Sequence, residues 1–334
     1  MGGRVKKFVT VPALIVAAIV VAHAQEPVAQ LPPIQESAQA LNRPRLGSQA
    51  KFRSVTSMVA LNVTVTNGNK LVTGLTQDDF QVYEDGVQQE VRFFESRAVP
   101  MDVILLLDTS SSMRDKMGTV HDAAKSFMKV MRPGDRGAVV AFADKVQVIQ
   151  GLTSDSVAIE AAISSTVAQG ATALHNALYV ALKEFGRPAA GEGDVRRQAI
   201  AVLSDGEDTS SLVSFEDVVA LARRTGVNVY TIGLQSDFVA DRVQKGVRGN
   251  FSNAEYSLRM LARETGARAF FPAGVYQLRD VYDTIAAELE SQYSIAYSPT
   301  NRRVDGRFRR IIVRVTADPG FRPRARTGYT AESN

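Results

Sequence analysis

One segment constrains this chain more than any other: Val103-Ile104-Leu105-Leu106-Leu107 running directly into Asp108-Thr109-Ser110-Ser111-Ser112. Five consecutive apolar residues are too few to span a membrane, and without alternation they suit a strand buried on both faces. Such strands belong to parallel sheets, and in open α/β sheets ligands bind at the strands' carboxyl ends. This strand ends in an acid and three hydroxyls. Asp108, Ser110 and Ser112 form a D-x-S-x-S pattern, and an extended loop with alternating side chains would aim all three at one point. That point offers oxygen only, a donor set that selects Mg²⁺, Mn²⁺ or Ca²⁺ over zinc or copper. Taken alone, the pentapeptide favours a plainer reading, a serine-rich cap for the helix that follows.

Two further segments change that weighting. Gly170-Ala171-Thr172-Ala173-Leu174 puts a threonine at a loop-to-helix junction, and Ile200-Ala201-Val202-Leu203-Ser204-Asp205-Gly206 is a second buried-strand pattern ending in Asp-Gly. Together the three segments resemble the metal-ion-dependent adhesion site of von Willebrand factor type A domains, which takes D-x-S-x-S, a distant Thr and a distant Asp in this order. All five positions match: Asp108, Ser110, Ser112, Thr172 and Asp205. The resemblance covers roughly residues 98–292. It implies a three-layer αβα, Rossmann-like domain holding Mg²⁺, with Mn²⁺ or Ca²⁺ as substitutes. Ser110, Ser112 and Thr172 would ligate directly, Asp108 and Asp205 directly or through water. Hydroxyls are neutral ligands, so a cation with two carboxylates nearby stays electron-poor and keeps an open position. An Asp or Glu of a protein partner would fill it.

Asp144, Glu207 and Asp208 fall on loops near the same sheet edge. Their plain reading is solvated loop charge; the functional one is a second cation or an outer shell around the first. His175 lies three residues after Thr172, so one helical turn would bring it to the rim, as an outer-shell group or merely as packing. Asn176 departs from the acid often found at this place in related domains.

The segment between residues 99 and 292 alternates strand and helix patterns, as a mainly parallel sheet requires. Strands are expected at 102–107, 137–142, 145–149, 198–204, 227–233 and 268–271, and helices at 116–131, 155–167, 173–186, 215–225, 254–265 and 277–291. Only Ala143-Asp144 separates the second and third strands, which must therefore form a hairpin. On either side the period changes to two. Val59, Leu61, Val63 and Val65 alternate with Ala60, Asn62, Thr64 and Thr66, and Phe80, Val82 and Val87, Val91, Phe93 flank the turn Glu84-Asp85-Gly86. About three strands lie there, too few for a stable sheet without a partner. Strand patterns at 293–297 and 308–315 supply one. The expected fold is therefore α/β, with the type A domain (99–292) inserted in a small β-sandwich closed by an N-terminal segment (51–98) and a C-terminal one (293–334). The run Asp78-Asp79-Phe80, Tyr83-Glu84-Asp85-Gly86 and, after the domain, Gly306-Arg307-Phe308-Arg309-Arg310-Ile311 with Arg326-Thr327-Gly328-Tyr329 resemble the VWFA-related proteins first named from acidobacteria.

Residues 1–24 read as a secretory signal peptide: Arg4, Lys6 and Lys7, an apolar run over residues 8–22, then Ala22-His23-Ala24. Residues 25–50, rich in Gln, Pro and Ala, read as a flexible linker. Export to the periplasm or beyond follows, with a mature chain starting at Gln25. Removing those three basic residues from 39 leaves 36 Lys and Arg against 35 Asp and Glu, so charge gives no argument for nucleic acid. The chain has no Cys, which excludes a disulfide framework and a thiolate metal site. No G-x-S-x-G elbow, H-E-x-x-H or phosphate loop is present, and His121 and His175 are the only histidines after the leader. A non-enzymatic, cation-dependent protein-binding or adhesion module is expected. The alternatives are an envelope scaffold with a structural metal that binds through its sandwich, and, ranked low for want of a general base, a metal-assisted hydrolase. Nine arginines between Arg302 and Arg326 read as a charged sheet face resisting edge pairing, or as a contact for an anionic surface.

Overall fold

The computed structural model describes residues 58–96, 99–185, 196–205, 207–234 and 253–331. The leader and linker expected over residues 1–50 lie outside them, as does Gly206.

The apolar run forms β6 (Met101–Asp108), and every one of its residues is buried. It sits inside a six-stranded sheet ordered β11-β10-β9-β6-β7-β8. Its neighbours are β7 (Arg136–Phe142), β8 (Val146–Thr153), β9 (Arg197–Ser204), β10 (Asn228–Gly233) and β11 (Ala269–Phe270). All pairs are parallel except β7 with β8, the expected hairpin. The reason for the unbroken apolar run is visible in the layers. Val103, Leu105 and Leu107 pack under α1 (Met117–Met128), α2 (Ser156–Ser165) and α6 (Leu278–Ser291). Ile104 and Leu106 pack on the other face, under α3 (Leu174–Phe185), α4 (Phe215–Thr225) and α5 (Asn253–Glu264). A strand covered on both faces has no solvent side on which to place polar residues. Local chemistry sets the helix ends: Asp155 caps α2 by accepting from the Val157 and Ala158 N–H groups. Gly226 ends α4 with φ +70°.

Outside this block stand two antiparallel sheets. One is ordered β14-β1-β12-β5 with β2 beside β1, the other β15-β13-β3-β4. β1 (Val59–Asn67), β2 (Lys70–Leu71), β3 (Phe80–Glu84), β4 (Val87–Gln89) and β5 (Val91–Glu95) precede the α/β block; β12 (Tyr293–Tyr297), β13 (Phe308–Val315), β14 (Phe321–Arg324) and β15 (Gly328–Thr330) follow it. Val59, Leu61, Val63, Val65, Phe80, Val82, Tyr293, Ile295, Tyr297 and Ile311 form their common core. The sandwich thus takes strands from both ends of the chain, with the α/β block inserted between. Asp85 and Gly86 both have positive φ, as a two-residue hairpin turn demands.

Three expectations are corrected. The N-terminal segment holds five strands instead of about three, because Lys70–Leu71 forms a short extra strand beside β1 and the pattern from Val87 to Phe93 is broken at Glu90, its halves joining different sheets. Phe93 does not face the core. A register shift between Ala296 and Tyr297 leaves Arg92 without a partner on β12, which reverses the alternation and turns Phe94 inward. The segment after Ser110 is not extended: Ser111–Lys116 is a 3-10 helix leading into α1. Among the described residues no helix is long and apolar enough to cross a membrane.

Candidate metal centre

The parallel pairing of β6 with β9 matches Leu107 to Leu203, so Asp108 and the Ser204-Asp205 pair emerge side by side. Asp108 is fully buried. Its Oδ1 accepts the Ser110 N–H at 2.8 Å and its Oδ2 accepts the Ser204 hydroxyl at 2.6 Å. Burial pushes this carboxyl above the ordinary range; the bonds from Ser204 and Ser110 oppose the rise, and the like charge of Asp205 adds to it. Ser110 and Ser112 lie 3.0 Å apart, hydroxyl to hydroxyl, and Ser112 Oγ donates to Asp205 Oδ1 at 2.7 Å. Lys116, one turn along the 3-10 helix, gives its ammonium to Asp205 Oδ2 in a short ion pair.

Thr172 is carried into this group by its backbone. Ser111 N–H donates to Gly170 O at 3.0 Å, and the Thr172 carbonyl accepts the Thr209 and Ser210 N–H groups at 2.9 and 3.2 Å. Gly170 adopts φ +79°, and a Cβ there would lie 2.5 Å from Asp144 Oδ2. The turn that presents Thr172 therefore needs glycine twice over, for its left-handed backbone and for the space. Four of the five expected positions are joined by direct side-chain or backbone-to-side-chain bonds; Thr172 is tied in through the loops.

The outer candidates take different places. Asp144 accepts the Ala171 N–H at 2.6 Å and so braces the Thr172 turn. Asp208 accepts the N–H groups of His175 at 2.7 Å and Ser211 at 3.0 Å, capping α3 from a neighbouring loop. Burial opposes its charged form, but these N–H groups and the Ser211 hydroxyl outweigh that and hold its carboxyl below the ordinary value. His175 rests on the Phe215 ring with centroids 5.7 Å apart, its Nδ1 3.5 Å from Asp208 Oδ2. Glu207 is exposed. Asn176 accepts the Leu212 and Val213 N–H groups, both at 3.1 Å, so it fastens the 205–213 loop to α3. Two contributors escaped the sequence reading. Ser204 was legible as the residue before Asp205; Lys116 carried no signal beyond standing at the start of a helix pattern. Among the described residues no three His, Cys, Asp or Glu side chains gather, so the centre's remaining oxygens come from hydroxyls.

Solved structures with similar folds include proximal thread matrix protein 1 from the mussel byssus with a zinc-occupied MIDAS motif. Identity there is 18% and the TM-score 0.46, over 62% of this chain and 49% of that one. A von Willebrand factor type A protein from Catenulispora acidiphila is 15% identical with a TM-score of 0.48, over 84% and 65%. The vWF domain of the type V pili tip protein from Porphyromonas gingivalis is 16% identical with a TM-score of 0.45, over 57% and 95%. The chain spans about half the length of the mussel protein, at 49%. The family model for the von Willebrand factor type A domain matches residues 102–284, more than half of the chain. The chain belongs to the von Willebrand factor type A family.

Proposed function

We propose that this protein is an exported interaction module in which Asp108, Ser110, Ser112, Thr172 and Asp205 hold a divalent cation that receives an acidic side chain of a protein partner. The observation that carries the reading is the bond chain Ser110–Ser112–Asp205 set above the buried Asp108. The donor set fits a hard cation: hydroxyl and carboxylate oxygens only, with a cationic group, the Lys116 ammonium, already drawn to Asp205. Bound there, Mg²⁺ would supply positive charge and a free coordination position. Ser110, Ser112 and Thr172 would contribute neutral oxygens, and Asp108 and Asp205 the charge that retains the ion. The hydrogen bonds on Asp108 orient it, and the Asp144 and Asp208 braces hold the loops in place. Export rests on the signal-like residues 1–24, and the partition of the chain at residues 98/99 and 292/293 follows the two fold blocks.

Thermal melting with EDTA and with Mg²⁺ tests the site. Mg²⁺ at a hundred times its dissociation constant should stabilise the native protein by about 2.7 kcal/mol. The double change Ser110→Ala, Ser112→Ala should abolish that gain and leave the metal-free protein folded. An equal shift in both proteins places the ion elsewhere and removes the proposal.

A further inference from the structure

The amino ends of the parallel strands face the sandwich, and a cavity of about 530 Å³ lies at this junction. Its walls are the second half of α5 with the start of β11, and the strands β13 and β14. Among the described residues six arginines line it (Arg259, Arg263, Arg268, Arg310, Arg324 and Arg326) and no acid does. Between them the lining is apolar, with Ile311, Val313 and Pro323 from the sandwich and alanines from both sides.

Three carboxylates behind the wall engage four of these guanidinium groups. Glu255 pairs with Arg259 at 2.6 Å, Glu264 with Arg263 at 3.9 Å, and Glu288 with Arg268 at 3.7 Å and with Arg324. Glu264 and Glu288 are themselves buried. Arg310 and Arg326 form no ion pair among the described residues. Arg326 is the more telling of the two. Among the described residues its Nε has no access to solvent and no acceptor. Its Nη1 lies 2.9 Å from where a Cβ on Gly226 would stand, so the group is wedged against the end of α4. A buried donor left unpaired is costly, and the Nη groups, which are not closed off in this way, keep the planar fork that an oxyanion fits best. The cavity's size is that of a small-molecule site, far below what a folded partner needs.

We propose that this cleft binds a small organic anion carrying two or more carboxylate or phosphate groups, with Arg310 and Arg326 as its principal ligands. The four paired arginines form a positive rim, and the alanine and isoleucine surfaces receive the ligand's carbon skeleton. The site is at the opposite end of the sheet from the proposed cation and does not depend on it.

Calorimetric titration of the whole protein in EDTA at low salt tests this. Citrate probes the carboxylate source, inorganic pyrophosphate the phosphate source, and acetate serves as the single-charge control. At least one of the first two should bind saturably, about tenfold or more tighter than acetate. Arg310→Gln, on an exposed strand face that tolerates exchange, should weaken that binding by roughly tenfold, as should Arg326→Gln. Arg302→Gln, outside the cavity, should leave it unchanged. No saturable binding of citrate or pyrophosphate would overturn the proposal. So would equal loss with Arg302→Gln, unaltered binding in the Arg310→Gln protein, or association with phosphatidylglycerol vesicles in the absence of small-anion binding.

Discussion

The two ends of the parallel sheet have opposite chemistry. At the carboxyl end stand short oxygen donors and acids: Asp108, Ser110, Ser112, Ser204, Asp205 and Asp208. At the amino end stand arginines, with the buried acids Asp102, Glu264 and Glu288 paired to them. Arg197 donates to Ser294 Oγ at 3.0 Å, Leu289 O at 3.1 Å and Gln292 O at 2.7 Å. Arg223 pairs with Glu264 at 3.0 Å, and Arg324 donates to Gly266 O at 3.1 Å. The helices explain the division. Every described helix of the block except α2, which follows the antiparallel β8, begins near the carboxyl ends of the parallel strands and finishes near their amino ends. Its N-terminus therefore favours negative charge at one end and its C-terminal carbonyls favour cations at the other. The sandwich is fastened to the basic end, through Arg197 and through Asn62, which donates to Asn228 at 2.9 Å. Among the described residues no strand of the sandwich pairs at the acidic end.

The largest effect should come from removing the sandwich's second half. A chain ending at Thr300 lacks β13, which pairs with β3 and β15, and β14, which pairs with β1, together with β15 itself. The apolar faces of Val59, Leu61, Val63 and Phe94 then lose their cover. Limited proteolysis should cut the N-terminal strands rapidly; a fully protected N-terminal sheet would show that the two sheets do not depend on one another. Next in size is Arg197→Leu. This guanidinium is 3% exposed, and burial lowers its pKa to about 10. Losing it strands two buried carbonyls at the end of α6, for a cost of about 3 kcal/mol in urea unfolding. The Mg²⁺ response should be unchanged. A parallel loss of metal affinity would mean that the two ends are coupled.

Much of the fold was legible because its signals are local and periodic. β6 and β9 are covered on both faces and read as unbroken apolar runs, and α4 occurs at 215–225 as its pattern indicates. The convergence of Asp108 and Asp205 followed once both strands were recognised, since parallel neighbours end together. What the sequence hides is what a single residue of register decides. The break at Glu90 sends β4 and β5 to different sheets, and nothing in Val87-Gln88-Gln89-Glu90-Val91 announces it. The arginines after Arg302 looked like one charged face. In the structure Arg309 turns inward to Asp305 at 2.8 Å, and Arg324 reaches α6. The second joins residues 36 apart in sequence and the first closes across a turn, and periodicity carries no information about either.

Lys116 gives the third and smaller effect, at the acidic end. Its side chain is 22% exposed and its partner Asp205 only 2%. An internal cation on Asp205 competes with any external one while sparing the metal-free protein the repulsion between Asp108 and Asp205. Lys116→Met should therefore tighten Mg²⁺ binding by about tenfold and lower the melting temperature in EDTA, a change on the order of 1 kcal/mol each way. Calorimetric titration with Mg²⁺ checks it. Unchanged affinity would mean that the ammonium and the metal do not share Asp205.

Asp208 provides the smallest effect and the sharpest test of the division by helix ends. Its carboxylate receives N–H groups from His175, in the first turn of α3, and from Ser211. The contact satisfies a helix N-terminus with a negative charge, as the acidic end of the sheet should. Asp208→Asn keeps the shape and one acceptor but removes the charge, at a cost of about 1 kcal/mol near pH 7. The pH dependence follows from the depressed carboxyl. Its contribution is complete above the unfolded value of about 3.9 and is lost as pH falls through the lower folded value. Wild type and Asp208→Asn should differ in urea unfolding at pH 7 and at pH 5, and should converge below about pH 4. A difference that persists undiminished at pH 3 would show that the amide fails by shape, not charge. Mg²⁺ affinity should move by less than about twofold, because a screened charge one loop away contributes little to the ion. A tenfold loss would instead make Asp208 an outer-shell partner of the cation, and the acidic end would then be a metal site built on three carboxylates instead of a helix cap beside a site built on two.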